Sequence, residues 1–171
     1  MGFTPLDGLP MGTRCGAIDV SIIEYLMDTH HLTIEEVMNI LNKKSGVLGV
    51  SGVSSDFRDI ENAAAEGNSH AQLALDMFCY KTTKRIASAA AAMGGVDAVV
   101  FTAGVGENSA ELREQIVASL GFMGIQIDPE KNKVRGEERD ISAAGAKVHT
   151  LLIPTNEELV IAQDTAAIVG K

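Results

Sequence analysis

The stretch from Val96 to Ser109 constrains the fold of this chain more than any other part of the sequence. It opens with the apolar run Val99-Val100-Phe101, which predicts a strand buried on both faces of a mainly parallel sheet. The run ends at Gly104-Val105-Gly106, and a helical apolar spacing follows, for which Asn108 is the predicted N-cap. Open α/β sheets bind ligands where such strands end, and a helix N-terminus presents N–H groups to an anion. The stretch therefore predicts a ligand site, although an ordinary strand–turn–helix joint has the same pattern.

A second strand followed by a helix repeats this arrangement later in the chain. Residues 147–153 predict a second core strand, and Pro154-Thr155-Asn156-Glu157-Glu158 leads into a final amphipathic helix. Two strands with a helix between them predict a right-handed parallel crossover, so both turns should open at one edge of the sheet. Thr155 and Glu158 fit a capping box. Glu157 is then either a balance for the helix dipole or a ligand for Mg²⁺ beside a nucleotide phosphate.

The remaining segments predict loops and helices. Residues 1–17 are rich in glycine and predict an irregular loop. Helices are predicted from Asp19 to about Asp28, after a capping box at Thr33 and Glu36, after Asp56, and from Asn68 to Met93. Residues 45–55 are too rich in glycine for a confident strand. Residues 128–140 predict a charged, exposed excursion between the two strand–helix units.

Two short segments near the start of the chain carry further candidates for ligand contact. Arg14 lies between Gly12 and Gly16, and a guanidinium fixed in this way suits phosphate oxygens and a developing negative charge. A surface arginine in a flexible loop is an equal alternative. In Asp56-Phe57-Arg58, the arginine either pairs with a neighbouring aspartate or helps to hold a base or a ribose.

The composition excludes some classes of partner. The 171 residues fit one domain, and 46% of them are hydrophobic. Fourteen basic and twenty-three acidic residues give a net charge of −9, which argues against nucleic acid or an anionic membrane as the main partner. The sequence has neither an apolar segment of membrane-spanning length nor a basic-then-apolar leader. Cys15 and Cys79 lack metal-binding spacing, and reduced thiols favour a cytoplasmic protein.

Seven motifs follow one another in order from end to end of the chain. They are Met1-Gly-Phe-Thr-Pro-Leu6, Met11-Gly-Thr-Arg14, Gly16-Ala-Ile-Asp19, Leu41-Asn-Lys-Lys-Ser-Gly46, Ser54-Ser-Asp-Phe-Arg-Asp59, Phe101-Thr-Ala-Gly-Val-Gly-Glu-Asn-Ser109 and Ile153-Pro-Thr-Asn-Glu-Glu158. Together they resemble the C-terminal part of the acetate kinase family, a branch of the sugar kinase, Hsp70 and actin superfamily. The resemblance implies an α/β, RNase H-like (actin-like ATPase) fold with parallel core strands flanked by helices, lacking its opening strands. It also implies phosphoryl transfer between ATP and acetate, giving acetyl phosphate and ADP, with Mg²⁺.

The same resemblance implies a role for each candidate residue. Arg14 matches the arginine that stabilises the transition state between the nucleotide and the acyl carboxylate. The segment that holds the adenosine is matched by Asp56, Phe57 and Arg58. The loop around the nucleotide is matched by Gly104, Val105, Gly106, Glu107 and Asn108. Glu157 matches the glutamate that supports magnesium, and Pro5 matches a residue that lines the pocket for the acetate methyl group.

The resemblance further implies that residues 1–171 are the C-terminal nucleotide-binding domain and that the N-terminal domain of the family is absent. Since that domain supplies the other wall of the catalytic cleft, we expect the chain alone to be inactive. The family pairs through its C-terminal domains, so a homodimer is also expected. Three alternatives stay open: a propionate kinase fragment, a non-catalytic nucleotide-binding module and a dimerisation module.

Overall fold

A computed structural model describes residues 1–170, which divide into a unit from Met1 to Gly95 and a second unit from Val96 onward. In the described residues, the first unit contains helices only, whereas the second contains the sheet. The length of the chain fits a single domain, so the sequence did not predict this division.

The first unit is built from five helices that follow an irregular opening segment. The helices are α1 (Ser21–His30), α2 (Ile34–Lys43), α3 (Gly46–Ser51), α4 (Phe57–Ala65) and α5 (Ser69–Met93). The capping box at Thr33 is confirmed, because its side chain accepts from the N–H of Glu36 while the Glu36 carboxylate accepts from the N–H of Thr33. Asn68 caps α5 as predicted, and Gly94 ends that helix in the left-handed conformation.

Residues 45–55, which the sequence left without an assignment, contain the helix α3. It packs against α5, as does α4, and both Val47 and Ser51 are buried. The core of this unit is aliphatic and consists of Val37, Leu41, Val47, Ile60, Ala71, Ala74, Leu75, Cys79 and Ala90. A short glycine-rich helix has low intrinsic stability, so packing against α5 stabilises it. This contribution is tertiary and is not visible in the local sequence.

The second unit contains a three-stranded sheet with the strand order β1–β3–β2. Its strands are β1 (Ala98–Phe101), β2 (Arg139–Asp140) and β3 (His149–Leu152), and its α-helices are α6 (Ala103–Asn108), α7 (Ala110–Ala118) and α8 (Glu157–Val169). Strands β1 and β3 are parallel, with Val99 opposite Thr150 and Phe101 opposite Leu152. Strand β2 pairs antiparallel to β3. The predicted parallel pair, with both carboxyl ends at one edge of the sheet, is confirmed.

Strand β1 is buried on one face only, so the prediction of burial on both faces was wrong. Val99 and Phe101 are buried, whereas Ala98 and Val100 are exposed. In β3, Thr150 and Leu152 are buried in the same alternating way. An apolar run is compatible with one covered face or with two, and only tertiary contacts distinguish them.

Helix α8 differs from the predicted amphipathic helix. Its apolar side chains lie all around its circumference, and none of its described residues is buried. Leu159 is 49% exposed and Ile168 is 75% exposed. Across residues 1–170, no helix is both long and apolar enough to cross a membrane.

Candidate functional site

The predicted site residues fall into one group in each unit. Pro5, Arg14 and the segment Asp56–Arg58 belong to the first unit. The segment Gly104–Asn108 and Glu157 belong to the second. Within each unit, hydrogen bonds and packing determine what these side chains can do.

A tight turn holds Arg14 at the surface of the first unit. The N–H of Met11 donates to the carbonyl of Arg14 at 3.0 Å, and the N–H of Cys15 donates to the carbonyl of Leu41 at 2.9 Å. The side chain is exposed, with Nη1 3.7 Å from Sδ of Met11, and Arg14 forms no ion pair with any described residue. The backbone is therefore fixed while the guanidinium can reach an anionic ligand.

Gly46 allows α3 to approach this turn closely. Its φ is +62°, which disfavours any residue with a Cβ, and the neighbouring Val47 N–H donates to the carbonyl of Met11 at 2.9 Å. A Cβ on Gly46 would overlap the carbonyl oxygen of Met11 and lie 2.7 Å from that of Arg14. Glycine at this position is thus a requirement of the turn that carries Arg14.

Asp56 and Arg58 form an ion pair at the start of α4. Oδ1 of Asp56 accepts from the backbone N–H of Arg58 at 2.9 Å and from its Nε at 3.0 Å, and Oδ2 accepts from Nη2 at 2.5 Å. These side-chain and backbone hydrogen bonds from Arg58 lower the pKa of Asp56 to about 2. Of the two interpretations of this segment, pairing with a neighbouring aspartate is present in the structure.

Phe57 and Pro5 are both half-buried. The ring of Phe57 packs edge-to-face on Phe78 of α5, with centroids 4.7 Å apart and an interplanar angle of 67°. It therefore helps to hold α4 on α5. Pro5 lies in the opening segment, where the N–H of Asp7 donates to the carbonyl of Thr4 at 3.2 Å.

The predicted glycine turn at Gly104–Asn108 is a short helix, α6. The chain enters it through Ala103, which has a φ of +59°. A left-handed alanine costs on the order of 1–2 kcal/mol. Such strained residues concentrate at functional sites. Inside the helix, Nδ2 of Asn108 donates to the carbonyl of Gly104 at 2.8 Å.

The N-cap of the following helix is Ser109, so the prediction that Asn108 caps it was wrong. Oγ of Ser109 accepts from the N–H of Leu112 at 3.2 Å, and α7 begins at Ala110. Asparagine and serine are comparably good N-caps, so the sequence alone does not choose between neighbours. The side chain of Asn108 is instead committed to α6.

Glu107 joins the two turns at the edge of the sheet. Its Oε1 accepts from the backbone N–H of Thr155 at 2.9 Å and from the Thr155 hydroxyl at 3.2 Å. The predicted capping box of Thr155 and Glu158 is therefore wrong, because the Thr155 hydroxyl bonds to Glu107. The N-cap of α8 is Asn156, whose Oδ1 accepts from the N–H of Leu159 at 3.1 Å.

Glu157 is the first residue of α8 and follows Thr155 by two residues. Its side chain is exposed. Within residues 1–170, no group of three or more histidine, cysteine, aspartate or glutamate side chains could hold a metal ion. A single carboxylate still fits Mg²⁺, which commonly takes one or two protein carboxylates and completes its shell with water and substrate phosphate oxygens. Glu157 is thus a chemically suitable metal ligand next to the joined turns.

Sequence reasoning missed Arg113, which is fully buried on α7. Nε donates to Oδ1 of Asn132 at 2.8 Å, Nη1 to the carbonyl of Gly106 at 2.8 Å, and Nη2 to the carbonyls of Asn132 at 2.7 Å and Val134 at 2.9 Å. Burial lowers the pKa of its guanidinium. A sequence signal existed: Arg113 occupies the first position of an i, i+3, i+4, i+7 row that continues with Ile116, Val117 and Leu120.

Residues 128–140, predicted to be an exposed excursion, instead support α6 and α7. Asn132 and Val134 are buried. Nδ2 of Asn132 donates to the carbonyl of Ala110 at 2.8 Å, and the N–H of Gly136 donates to the carbonyl of Glu107 at 3.3 Å. The charges in this segment are largely exposed, but its backbone and Asn132 face the helices.

Comparison with known proteins assigns the family. The acetokinase family, the family of acetate kinase, matches residues 1–163. The chain belongs to the acetokinase family. The acetate kinase of Treponema denticola is 62% identical over 169 residues, which are 99% of this chain and 43% of that protein. The acetate kinase of Thermoanaerobacterium thermosaccharolyticum is 62% identical over 170 residues, 99% of this chain and 42% of that protein.

Solved structures from this family share the fold. The crystal structure of Porphyromonas gingivalis acetate kinase matches with a TM-score of 0.94 and 48% identity, covering 99% of this chain and 43% of that one. A propionate kinase from Francisella tularensis matches with a TM-score of 0.88 and 44% identity, covering 95% of this chain and 41% of that one. The α/β, actin-like ATPase fold implied by the motifs is confirmed for this part of the fold. The chain spans less than half the length of the acetokinase relatives that it matches.

Proposed function

We propose that this chain is the nucleotide-binding part of an enzyme that transfers a phosphoryl group between ATP and acetate, giving acetyl phosphate and ADP. The observation that carries the proposal is the joining of two strand–helix turns at one sheet edge by Glu107 and Thr155. In an open α/β sheet, this edge is where ligands bind. Membership of the acetokinase family supplies the class of reaction.

The nucleotide is proposed to lie against the exposed side of α6. A Cβ on Gly104 would meet no atom within 4 Å, so the backbone there is open to a ligand. A Cβ on Gly106 would lie 3.4–3.6 Å from atoms of Phe101, so Gly106 faces its own strand. Gly104 is therefore the better position at which to obstruct a bound nucleotide.

Magnesium is proposed to bind at Glu157 together with the nucleotide phosphates. When bound, the ion would neutralise phosphate charge. Glu157 suits this role because it is exposed and follows the turn that Thr155 anchors to Glu107. The hydrogen bonds to Glu107 limit the movement of the turn, which keeps the carboxylate near the phosphate position.

Arg14 is proposed to stabilise the negative charge that develops on the transferred phosphoryl group. It suits this role because its guanidinium is exposed and forms no ion pair with a described residue, while hydrogen bonds fix its backbone. Arg58 is proposed to offer the planar face of its ion pair with Asp56 to the adenosine, since guanidinium planes stack on bases. Phe57, the first residue of α4, holds that helix against α5 through its contact with Phe78.

Residues 1–171 are proposed to form the C-terminal nucleotide-binding domain of a cytoplasmic homodimer, as the family resemblance implies. Pro5 is proposed to line the pocket for the methyl group of acetate. Propionate is a second candidate acceptor, because a propionate kinase from Francisella tularensis is among the solved structures that match this chain. Comparing turnover of the two carboxylates by an enzyme that contains this chain distinguishes them.

Calorimetric titration with ADP and MgCl₂ tests the binding proposal. We expect the chain to bind ADP and Gly104→Val to weaken binding at least tenfold, or about 1.4 kcal/mol. Gly121→Val is a matched control, because a Cβ on Gly121 would also meet no atom within 4 Å and Gly121 lies outside the proposed site. Equal affinity of the wild-type and Gly104→Val chains would exclude this surface as the nucleotide site.

A further inference from the structure

We infer that Arg113 is a positioning residue for the nucleotide-binding segment: it fixes the peptide that follows Gly106 and thereby sets the direction of the Glu107 side chain toward Thr155. The inference rests on the proposed function in that it takes α6 to be the nucleotide segment. It assigns to Arg113 no contact with a substrate.

The buried position of Arg113 is unusual for a positive charge. Its side chain is fully buried, and its four hydrogen bonds go to amide oxygens, three of the main chain and one of Asn132. No carboxylate is among these partners. Burying a charge without an ionic partner is costly unless hydrogen bonds replace its hydration. A neutral apolar residue would fill the same row of α7 at no such cost, so the guanidinium performs a task beyond packing.

The acceptors of Arg113 identify that task. The carbonyl of Gly106 lies near the end of α6, where the last carbonyls of a helix have no intrahelical donor. Nη1 of Arg113 supplies that donor at 2.8 Å, while Nη2 bonds to the carbonyls of Asn132 and Val134. One planar group therefore fastens the end of α6 to the segment 132–134.

The residue after Gly106 is held as well. The carbonyl of Glu107 accepts from the N–H of Gly136 at 3.3 Å, so successive carbonyls of α6 are bonded to Arg113 and to Gly136, which follows the segment 132–134 by two residues. With its backbone fixed, the Glu107 carboxylate reaches both donors of Thr155. The contacts run without interruption from Arg113 to the turn that carries Glu157.

The geometry requires arginine rather than any cation. Four bonds are distributed over Nε, Nη1 and Nη2 in one plane. A lysine ammonium is a compact point donor with at most three bonds and cannot reproduce this fork. Arg113→Lys keeps the charge and most of the volume while losing the bond to Gly106 or the bonds to the segment 132–134.

The test compares Arg113→Lys with the wild-type chain by hydrogen exchange and by ADP titration. Arg113→Met would remove every donor and risks global unfolding, so lysine is the informative substitution. Arg139→Lys is the control, because Arg139 is an exposed arginine of the same unit that lies outside the segment 131–136. Exchange is measured without nucleotide, which keeps this readout independent of the proposed function.

For Arg113→Lys, we expect amide exchange in residues 103–110 and 131–136 to accelerate at least tenfold while exchange in β1 and β3 stays unchanged. ADP affinity should fall at least tenfold, and Arg139→Lys should change neither quantity. Unchanged exchange in 103–110, or faster exchange with unchanged ADP affinity, would overturn the inference. If the wild-type chain binds no ADP, the proposed function fails, and the exchange data still decide whether Arg113 holds α6.

Discussion

One carboxylate oxygen of Glu107 accepts hydrogen bonds from both the backbone N–H and the hydroxyl of Thr155, although the two residues are 48 positions apart in the sequence. Glu107 lies in α6, the helix after β1, and Thr155 lies in the turn after β3. The pair therefore links the two parallel strands at the point where their chains turn into helices. In this structure, the Glu107 carboxylate holds the turn after β3 against α6.

The first prediction concerns this pair and uses a double-mutant cycle with Glu107→Ala and Thr155→Val. We expect a coupling free energy of about 0.5–1.5 kcal/mol, because the valine removes one of the two donors and the alanine removes the acceptor. Denaturant unfolding measures it. As a control, Thr102→Val combined with Glu107→Ala should show additive effects, since the exposed Thr102 makes no hydrogen bond to Glu107. Additivity in the Thr155 cycle would refute the link.

The second prediction concerns the turn that carries Arg14. Gly46→Ala should destabilise the chain by about 1–2 kcal/mol for the left-handed backbone and by a further 1–3 kcal/mol for the overlap with the carbonyl of Met11. Gly52→Ala is the matched control, because Gly52 has a φ of +67° but a Cβ there would meet no atom within 4 Å. Thermal unfolding should show a clearly larger loss for Gly46→Ala, and equal losses would contradict the close approach.

The third prediction is a pH dependence arising from Asp56. Hydrogen bonds from Arg58 lower the pKa of Asp56 to about 2, below the value of about 3.9 for an unfolded aspartate. The folded state therefore gains stability above pH 4 and loses it as the pH falls through about 2. The stability difference between wild type and Asp56→Asn should be largest at pH 5–7 and shrink between pH 4 and pH 2.

Chemical unfolding across this range, with Asp28→Asn as the control, measures the effect. Asp28 is exposed and has no ion pair with a described residue, so Asp28→Asn is a matched aspartate substitution that removes no such pair. A difference for Asp56→Asn that stays constant from pH 7 to pH 2 would mean that the ion pair with Arg58 does not form.

Local chemistry explains what the sequence predicted well. The N-caps Thr33, Asp56 and Asn68 were predicted correctly because a cap depends on one side chain and the next three residues. The parallel pair β1–β3 followed from two predicted strands with a helix between them. The family that the motifs implied is confirmed, because the acetokinase family matches residues 1–163.

Tertiary contacts explain what the sequence missed. The choice of Ser109 over Asn108 as a cap depends on α6, which occupies the Asn108 side chain. The acceptors of Arg113 lie up to 21 positions away, so its row of apolar neighbours gave no indication of its partners. Likewise, the partner of Thr155 is Glu107 rather than the local Glu158, because the fold brings the two turns together.

The central claim is that this chain supplies the nucleotide-binding part of an acetyl phosphate-forming kinase, and a chimaera tests it most directly. In the Treponema denticola acetate kinase, the matching 43% of the protein is replaced by this chain, and acetyl phosphate formation from ATP, acetate and Mg²⁺ is measured. We predict turnover that falls on the order of 10³-fold or more with Arg14→Ala and stays unchanged with Arg85→Ala, an exposed arginine of α5. A folded chimaera without turnover, or one whose turnover is indifferent to Arg14→Ala, would contradict the account.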